Sequence, residues 1–256
     1  MNFLNQNRTK KSKPFTIKTI ASVIAFLIIS TSINAQFFNK KINGNGDIIT
    51  KTRSVGDYDK IGVSGSFDVK LYKGNEGKIT IKADENLMEY IVTEVKNGNL
   101  EIKPKKGYNI RSRKTIEITV PFEDIKAVSL AGSGDVYTTD VIKSSELKLS
   151  LAGSGNIDLN VDTSDLDSSI AGSGNIKLNG KAKEFSCSIA GSGNLNGSDL
   201  KASIAKAKIA GSGNIKINAV NEIHAKIAGS GNIIYSGDPD IVKSNSAGSG
   251  SVRKKN

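Results

Sequence analysis

Aliphatic residues fall into columns along the second half of the chain. Aligned on the first glycine of a recurring Ala-Gly-Ser-Gly tetrapeptide, Leu130, Leu151, Ile170, Ile189, Ile209 and Ile227 stand two positions before it. Val136, Ile157, Ile176, Leu195, Ile215, Ile233 and Val252 stand four positions after it. Further apolar residues alternate outward from these columns, as in Leu147, Leu149, Leu151 and in Ile157, Leu159, Val161. Such period-two runs predict half-buried strands. The tetrapeptide occurs seven times, with first glycines at Gly132, Gly153, Gly172, Gly191, Gly211, Gly229 and Gly248, spaced 18 to 21 residues apart. So short a period predicts a solenoid, in which each coil buries its apolar face only by stacking on its neighbours. The expected fold is all-β: a single-chain right-handed parallel β-helix, or β-solenoid, with about 19–20 residues per coil. Each coil should consist of two short strands joined at Gly-Ser-Gly and closed by a second, looser turn.

The corner itself has a readable chemistry. Glycine tolerates positive φ and close backbone approach, both of which a sharp bend in stacked coils demands. After the second glycine come Asp135, Asn156, Asn175, Asn194, Asn214 and Asn232, then Ser251. Side-chain amides repeated at one position of a stack can bond to one another from coil to coil. This column is expected to be a structural turn ladder.

Before the regular repeats, residues 42–122 are strand-like but irregular. Lys78 to Ala83 and Thr115 to Pro121 alternate, and the runs around Lys96-Asn-Gly-Asn99 form a hairpin pattern. Only Glu85 to Tyr90 suggests a helical turn. Val63-Ser-Gly-Ser-Phe-Asp-Val69 is a degenerate repeat, and Gly44-Asn45-Gly46-Asp47-Ile48 is read as a second one. The expected organisation is a leader at residues 1–35, a linker at 36–41, the irregular β region at 42–122, the regular solenoid at 123–252 and a basic tail at 253–256. The tail and the atypical last repeat, with Ser246 and Ser251, are expected to block strand addition at an open edge.

Charge and composition narrow the function. Arg8, Lys10, Lys11, Lys13 and Lys18 precede the apolar run Ile20 to Ile33, which is too short for an ordinary spanning helix and ends at Ala35. This pattern predicts a cleaved secretory signal and an exported protein, in the periplasm, on the outer-membrane surface or outside the cell, touching membrane only through that segment. No cysteine follows Ala35 directly, so no lipid anchor is expected there. Without the leader the formal charge drops from +11 to about +6. These charges are spread over many strands with no aromatic interleaving, which argues against nucleic acid as a partner. The lone cysteine, Cys187, falls in an inward column with Val128, Leu149, Ser168, Ala207 and Ala225, and reads as core filler.

Motifs of catalysis and ligation do not survive alignment. Gly-Ser-Gly is followed by asparagine and a strand, whereas a dinucleotide loop needs a third glycine and a helix N-terminus. A calcium β-roll needs aspartates in every copy, and only Asp135 is acidic at the turn. Neither a cofactor nor a metal is expected. A carbohydrate-active β-helix, lyase or glycosidase, is the enzymatic alternative and would need two converging carboxylates. Asp158 aligns with Lys177, Asn196 and Lys216, and Asp167 with Ser186, Lys206 and His224. Asp162, Asp165 and Asp167 cluster in what reads as a surface turn, and His224 has no aligned acid partner. A different strip is suited to binding: Ser129, Ser150, Ser169 and Ser188, then Lys208 and Lys226, all three positions before the first glycine, joined by Lys206 and Lys216. Hydroxyls and ammonium groups in a row suit an acidic polysaccharide, and an envelope protein is the other expected partner.

Taken together, Arg53-Ser-Val-Gly-Asp-Tyr-Asp-Lys-Ile-Gly-Val-Ser-Gly-Ser-Phe-Asp-Val-Lys-Leu71, the Leu100-Glu-Ile102 and Ile116-Glu-Ile118 strands and the Ala-Gly-Ser-Gly repeats resemble the auto-transporter adhesin head GIN domain family. The resemblance covers roughly residues 42–250. It implies an exported or surface β-helical protein with adhesin-like interactions and carries over no catalytic residues. No membrane-barrel segment accompanies it.

Overall fold

The computed structural model describes residues 39–255, of which about three-quarters lie in strands. The leader expected at residues 1–35 lies outside the described residues. The first half comprises β1 (Lys40–Asn43), β2 (Ile48–Ser54), β3 (Lys60–Gly65), β4 (Phe67–Lys73), β5 (Lys78–Asp84), a 3₁₀ turn (Glu85–Tyr90), β6 (Ile91–Lys96), β7 (Asn99–Pro104), β8 (Tyr108–Arg111) and β9 (Ile116–Phe122). The repeats give β10 (Ala127–Gly132), β11 (Asp135–Gly153), β12 (Asn156–Gly172), β13 (Asn175–Gly191), β14 (Asn194–Gly211), β15 (Asn214–Gly229), β16 (Asn232–Ser236), β17 (Ile241–Ala247) and β18 (Ser251–Lys254). From β10 onward all pairing is parallel, each strand lying on the one a repeat earlier, so that the chain winds into a β-solenoid of about seven turns.

Register follows the aligned columns. Leu130, Leu151, Ile170, Ile189, Ile209 and Ile227 stack in sequence, as do Val136, Ile157, Ile176, Leu195, Ile215 and Ile233, and all are buried. Slipping any coil by one residue would turn these columns outward, which is why the register is so strongly specified. The corner glycines are equally constrained. Gly172 has φ +129, and a Cβ there would collide with the carbonyl oxygen of Gly153 directly below; the same geometry recurs at each first glycine.

One expectation needs correction. Each coil is a single long strand, 16 to 19 residues in β11–β15, rather than two short ones. In β11–β15 the second bend never leaves the hydrogen-bonded ladder; it shows only as register shifts, between Tyr137 and Val141, Lys177 and Asn179, Gly197 and Lys201, and Ala202 and Ile204. All differences in repeat length are absorbed there: between Tyr137 and Val141 β11 carries two more residues than β12 does between Asp158 and Asn160. The acids Asp162, Asp165 and Asp167 accordingly lie on strand β12, not in a turn.

Below the regular coils, the degenerate repeat stacks as a true coil. Gly65 lies under Gly132 and Asp68 under Asp135, and β3 and β4 in turn lie parallel on β7 and β9. Parallel winding then stops. β5 runs antiparallel on β9, β2 antiparallel on β5, and β6 antiparallel on β7 through the hairpin at Asn97 (φ 51) and Gly98 (φ 72). The stretch from Gly44 to Ile48 is not a repeat: it leads from β1, which pairs with β8, into antiparallel β2. Strand β1 itself begins to pair at Lys40, within the residues expected as linker.

Candidate functional site

The Gly-Ser-Gly corner positions a continuous row of side chains. Asn156 Nδ2 donates to Asp135 Oδ1 (2.7 Å), Asn175 to Asn156 (2.9 Å), Asn194 to Asn175 (3.0 Å), Asn214 to Asn194 (3.0 Å) and Asn232 to Asn214 (3.2 Å). The Ser251 hydroxyl adds a last bond, to Asn232 Oδ1 (2.8 Å). Beneath Asp135 the row becomes carboxylate: Asp68, then Glu117, whose Oε1 accepts from Lys82 Nζ at 3.0 Å. Burial, reinforced by the Asp135 charge, pushes the Asp68 carboxyl above the usual range. Among the described residues no cluster of three or more His, Cys, Asp or Glu is placed to hold a metal.

The face before the corner carries the serine and lysine strip. Ser129, Ser150, Ser169, Ser188, Lys208 and Lys226 occupy one register column, continued by Asn245. Their hydroxyls make only long bonds, Ser169 to Ser150 at 3.4 Å and Ser129 to the Ile61 carbonyl at 3.4 Å, so most of their capacity faces solvent. A shallow hollow of about 550 Å³ runs beside Ser169, Ser188, Lys208 and Lys226, with the exposed methyls of Ala171, Ala190, Ala210 and Ala228 along it. Lys206 lies on the same face two residues before Lys208, but its Nζ is 3.1 Å from Glu184. Lys216 is not part of the strip. It stands beyond the corner in register with Asn196 and lines a separate hollow with Tyr235 and Arg253, because the bend after Ala210 redirects the chain.

A column that the sequence reading passed over lies seven residues before the first glycine. Glu146, Asp165 and Glu184 stack there, followed by Ile204 and Glu222. Alignment at that offset would have found it. Glu222 also supplies the acid partner that His224 was not expected to have: two residues apart on one strand, the carboxylate bonds His224 Nε2 and lies 3.7 Å from Lys243. The His224 bond is the chief reason the Glu222 carboxyl sits below its ordinary range. These carboxylates are solvent-facing or matched by cations. Cys187 is buried, and burial pushes its thiol up, away from reactivity. Ser168, on the same inward column, has a buried hydroxyl with no hydrogen-bond partner.

Comparisons with known proteins place this geometry. The family model described as "Putative auto-transporter adhesin, head GIN domain" matches residues 57–239. A crystal structure described as a putative adhesin from Bacteroides fragilis is 26% identical, covering 84% of this chain and 100% of its own, with a TM-score of 0.77. A putative lipid binding protein from Parabacteroides distasonis is 33% identical over 85% of this chain and 100% of its own, with a TM-score of 0.70. A putative adhesin from Parabacteroides merdae is 25% identical over 85% and 100%, with a TM-score of 0.69. No curated protein matches the sequence.

Proposed function

Since the chain belongs to the auto-transporter adhesin head GIN domain family, we propose that it is an exported, non-enzymatic interaction protein of the cell envelope or surface. In this reading the solenoid is a rigid rod that presents a repeated face to a partner. The observation that carries it is the register column Ser129, Ser150, Ser169, Ser188, Lys208 and Lys226, which lines up hydroxyls and ammonium groups at the strand spacing of about 4.8 Å. A linear acidic polysaccharide can lie along such a column, its carboxylates or sulfates meeting Lys208 and Lys226 and its hydroxyls meeting the serines. Exposed lysines attract at long range, so the interaction should weaken steeply with salt.

The relatives' names support adhesion or lipid binding, and none of those above names an enzymatic activity. The test is retention of purified residues 36–256 on acidic and neutral polysaccharides and on lipid vesicles, with newly formed chain ends counted in the same samples. Salt-sensitive retention on the acidic polymers, lost in the double variant Lys208→Glu, Lys226→Glu, is the expected result. Unchanged retention in that variant removes the strip from the proposal, retention on vesicles alone replaces the polysaccharide with lipid, and new chain ends overturn the non-enzymatic reading.

A further inference from the structure

The corners of the stack bind oxygen in one fixed way. From Ser133 to Ser230, each corner serine and the glycine after it donate their N–H groups together to one carbonyl oxygen of the coil below, at 2.9–3.2 Å. Adjacent N–H groups that converge in this way also form a concavity suited to an anion. The lowest corner, Gly65 to Phe67, has the same left-handed glycine, with φ +116, but a different floor. A Cβ on Gly132 or Gly153 would strike a carbonyl oxygen at 2.2 or 2.4 Å, whereas one on Gly65 meets the Phe67 ring at 3.2 Å and the Pro104 ring at 3.4 Å. No carbonyl takes that place because the chain leaves the stack after β7, detours through β8 and rejoins at Ile116. Among the described residues the Ser66 N–H therefore has no acceptor.

The detour encloses a hollow of about 530 Å³ at this corner, and much of its wall is polar. Ser66 and Asp68 come from the corner, Asn109 and Arg111 from β8, and Lys114 and Thr115 from the loop before β9. β8 is well anchored. It pairs with β1, the Arg111 carbonyl accepts from the Gly44 N–H at 2.8 Å, and the next residue, Ser112, bonds the buried Asp84. Asn109 and Arg111, two positions apart and both exposed, share one face of the strand. Neither Arg111 nor Lys114 forms an ion pair among the described residues, and residues 1–38 contain no acidic side chain to supply one. The Asp68 carboxyl in the same hollow selects among anions. It repels a dianion such as phosphate, but it can accept from the hydroxyls of a ligand whose single charge is held by Arg111 and Lys114.

We propose that this hollow is a binding site for a small hydroxylated carboxylate of the sugar-acid class. The carboxylate takes the part that a carbonyl oxygen plays in the coils above, accepting from the Ser66 N–H, Arg111 and Lys114, while ring hydroxyls bond Asp68, Asn109 and Thr115. The acid is either free or the end residue of a glycan, since both present the same chemistry. The site belongs to the lowest corner, coils away from Lys208 and Lys226, and does not rest on what binds the serine and lysine strip.

The test titrates the purified chain with glucuronate, glucose, acetate and inorganic phosphate, following binding by calorimetry and its location by backbone amide NMR. Glucuronate should bind about tenfold or more tightly than each of the other three, and should move the Ser66 amide proton downfield together with the amides of β8. Arg111→Gln with Lys114→Gln should weaken glucuronate binding by about tenfold or more, and Ser66→Pro, which removes the N–H, by a similar factor. The glutamine variant leaves the backbone unaltered and decides the matter even where proline unsettles the corner. Lys208→Glu with Lys226→Glu should change nothing here, so that failure of the strip and failure of this site read separately. An oligosaccharide ending in glucuronate that binds more tightly than the free acid assigns the glycan end as the ligand; equal or weaker binding assigns the free acid. Any of the three other probes binding as tightly as glucuronate, no binding of glucuronate, unchanged affinity in the glutamine variant, or shifts confined to residues outside the hollow would each overturn the proposal.

Discussion

The two ends of the stack are built by opposite means. At the N-terminal end antiparallel strands close over bulky side chains, with Phe67 and Phe122 fully buried. There Asp84, also buried, accepts from the Gly46 N–H at 2.7 Å and from the Ser112 hydroxyl, tying the loop after β1 to the loop after β8. At the C-terminal end no antiparallel strand covers the last coil among the described residues: every residue of β17 is exposed, and small residues, Ala205, Ala207 and Ala225, are buried in the two long strands before it. In a quasi-one-dimensional stack each coil is held only by its neighbours, so the closed end should set the stability of the whole and the open end should fray.

The comparison can be broken most forcefully at the closed end. Phe67→Ala should cost about 3–5 kcal/mol, whereas Val242→Ala at the open end should cost less than about 0.5 kcal/mol; urea unfolding of the two variants side by side checks the asymmetry. Gly172→Ala, in the middle, forces a side chain into positive φ and into the carbonyl below. It should cost about 2–4 kcal/mol and uncouple the ends, visible as a second unfolding transition.

Acid should act on the closed end. Burial alone would raise the Asp84 carboxyl, but the Ser112 hydroxyl and the Gly46 N–H outweigh it and hold the group below its ordinary range. A carboxyl depressed in the folded state stabilises above its unfolded value, near 3.9, and that contribution is lost as pH falls through the folded value. Asp84→Asn should therefore cost about 1–3 kcal/mol at neutral pH and flatten the acid limb of a thermal-melt series below pH 4. Ser168→Ala removes an unpartnered hydroxyl from the core between the ends and should stabilise by about 1 kcal/mol in the same urea assay.

What the sequence disclosed was whatever repeats. The aliphatic columns, the corner glycines and the asparagine positions recur at one offset, so they could be aligned without any knowledge of pairing. The second bend could not be read in this way, because residues 137–141 and 197–201 absorb insertions and leave no fixed motif, while the backbone stays in the ladder. The closing strands are recognisable as strands, but Asp84 and Arg53 act across 28 to 38 residues of sequence, through partners that no spacing announces. At the candidate surface the serine and lysine column was legible. Lys216 reads as part of it because both sides of the corner alternate, and alternation does not say which way a bend turns the face. The acid partner of His224, Glu222, lies on its own strand two residues away, where alignment of equivalent positions between coils does not reveal it.

The one aspartate at the foot of the asparagine row has an effect out of proportion to its size. A side-chain amide can be turned either way, so a column of identical amides can donate toward the preceding coil or toward the following one. A carboxylate accepts but cannot donate, so Asp135 obliges Asn156 to present its NH₂ downward; the carbonyl of Asn156 then faces up and dictates Asn175, and so on to Ser251. A single charge thus gives the whole row a sense of direction, with every amide dipole aligned and each bond polarising the next. The solenoid carries along its edge a vector written by one residue, and Asp135→Asn would leave every bond available while erasing the arrow.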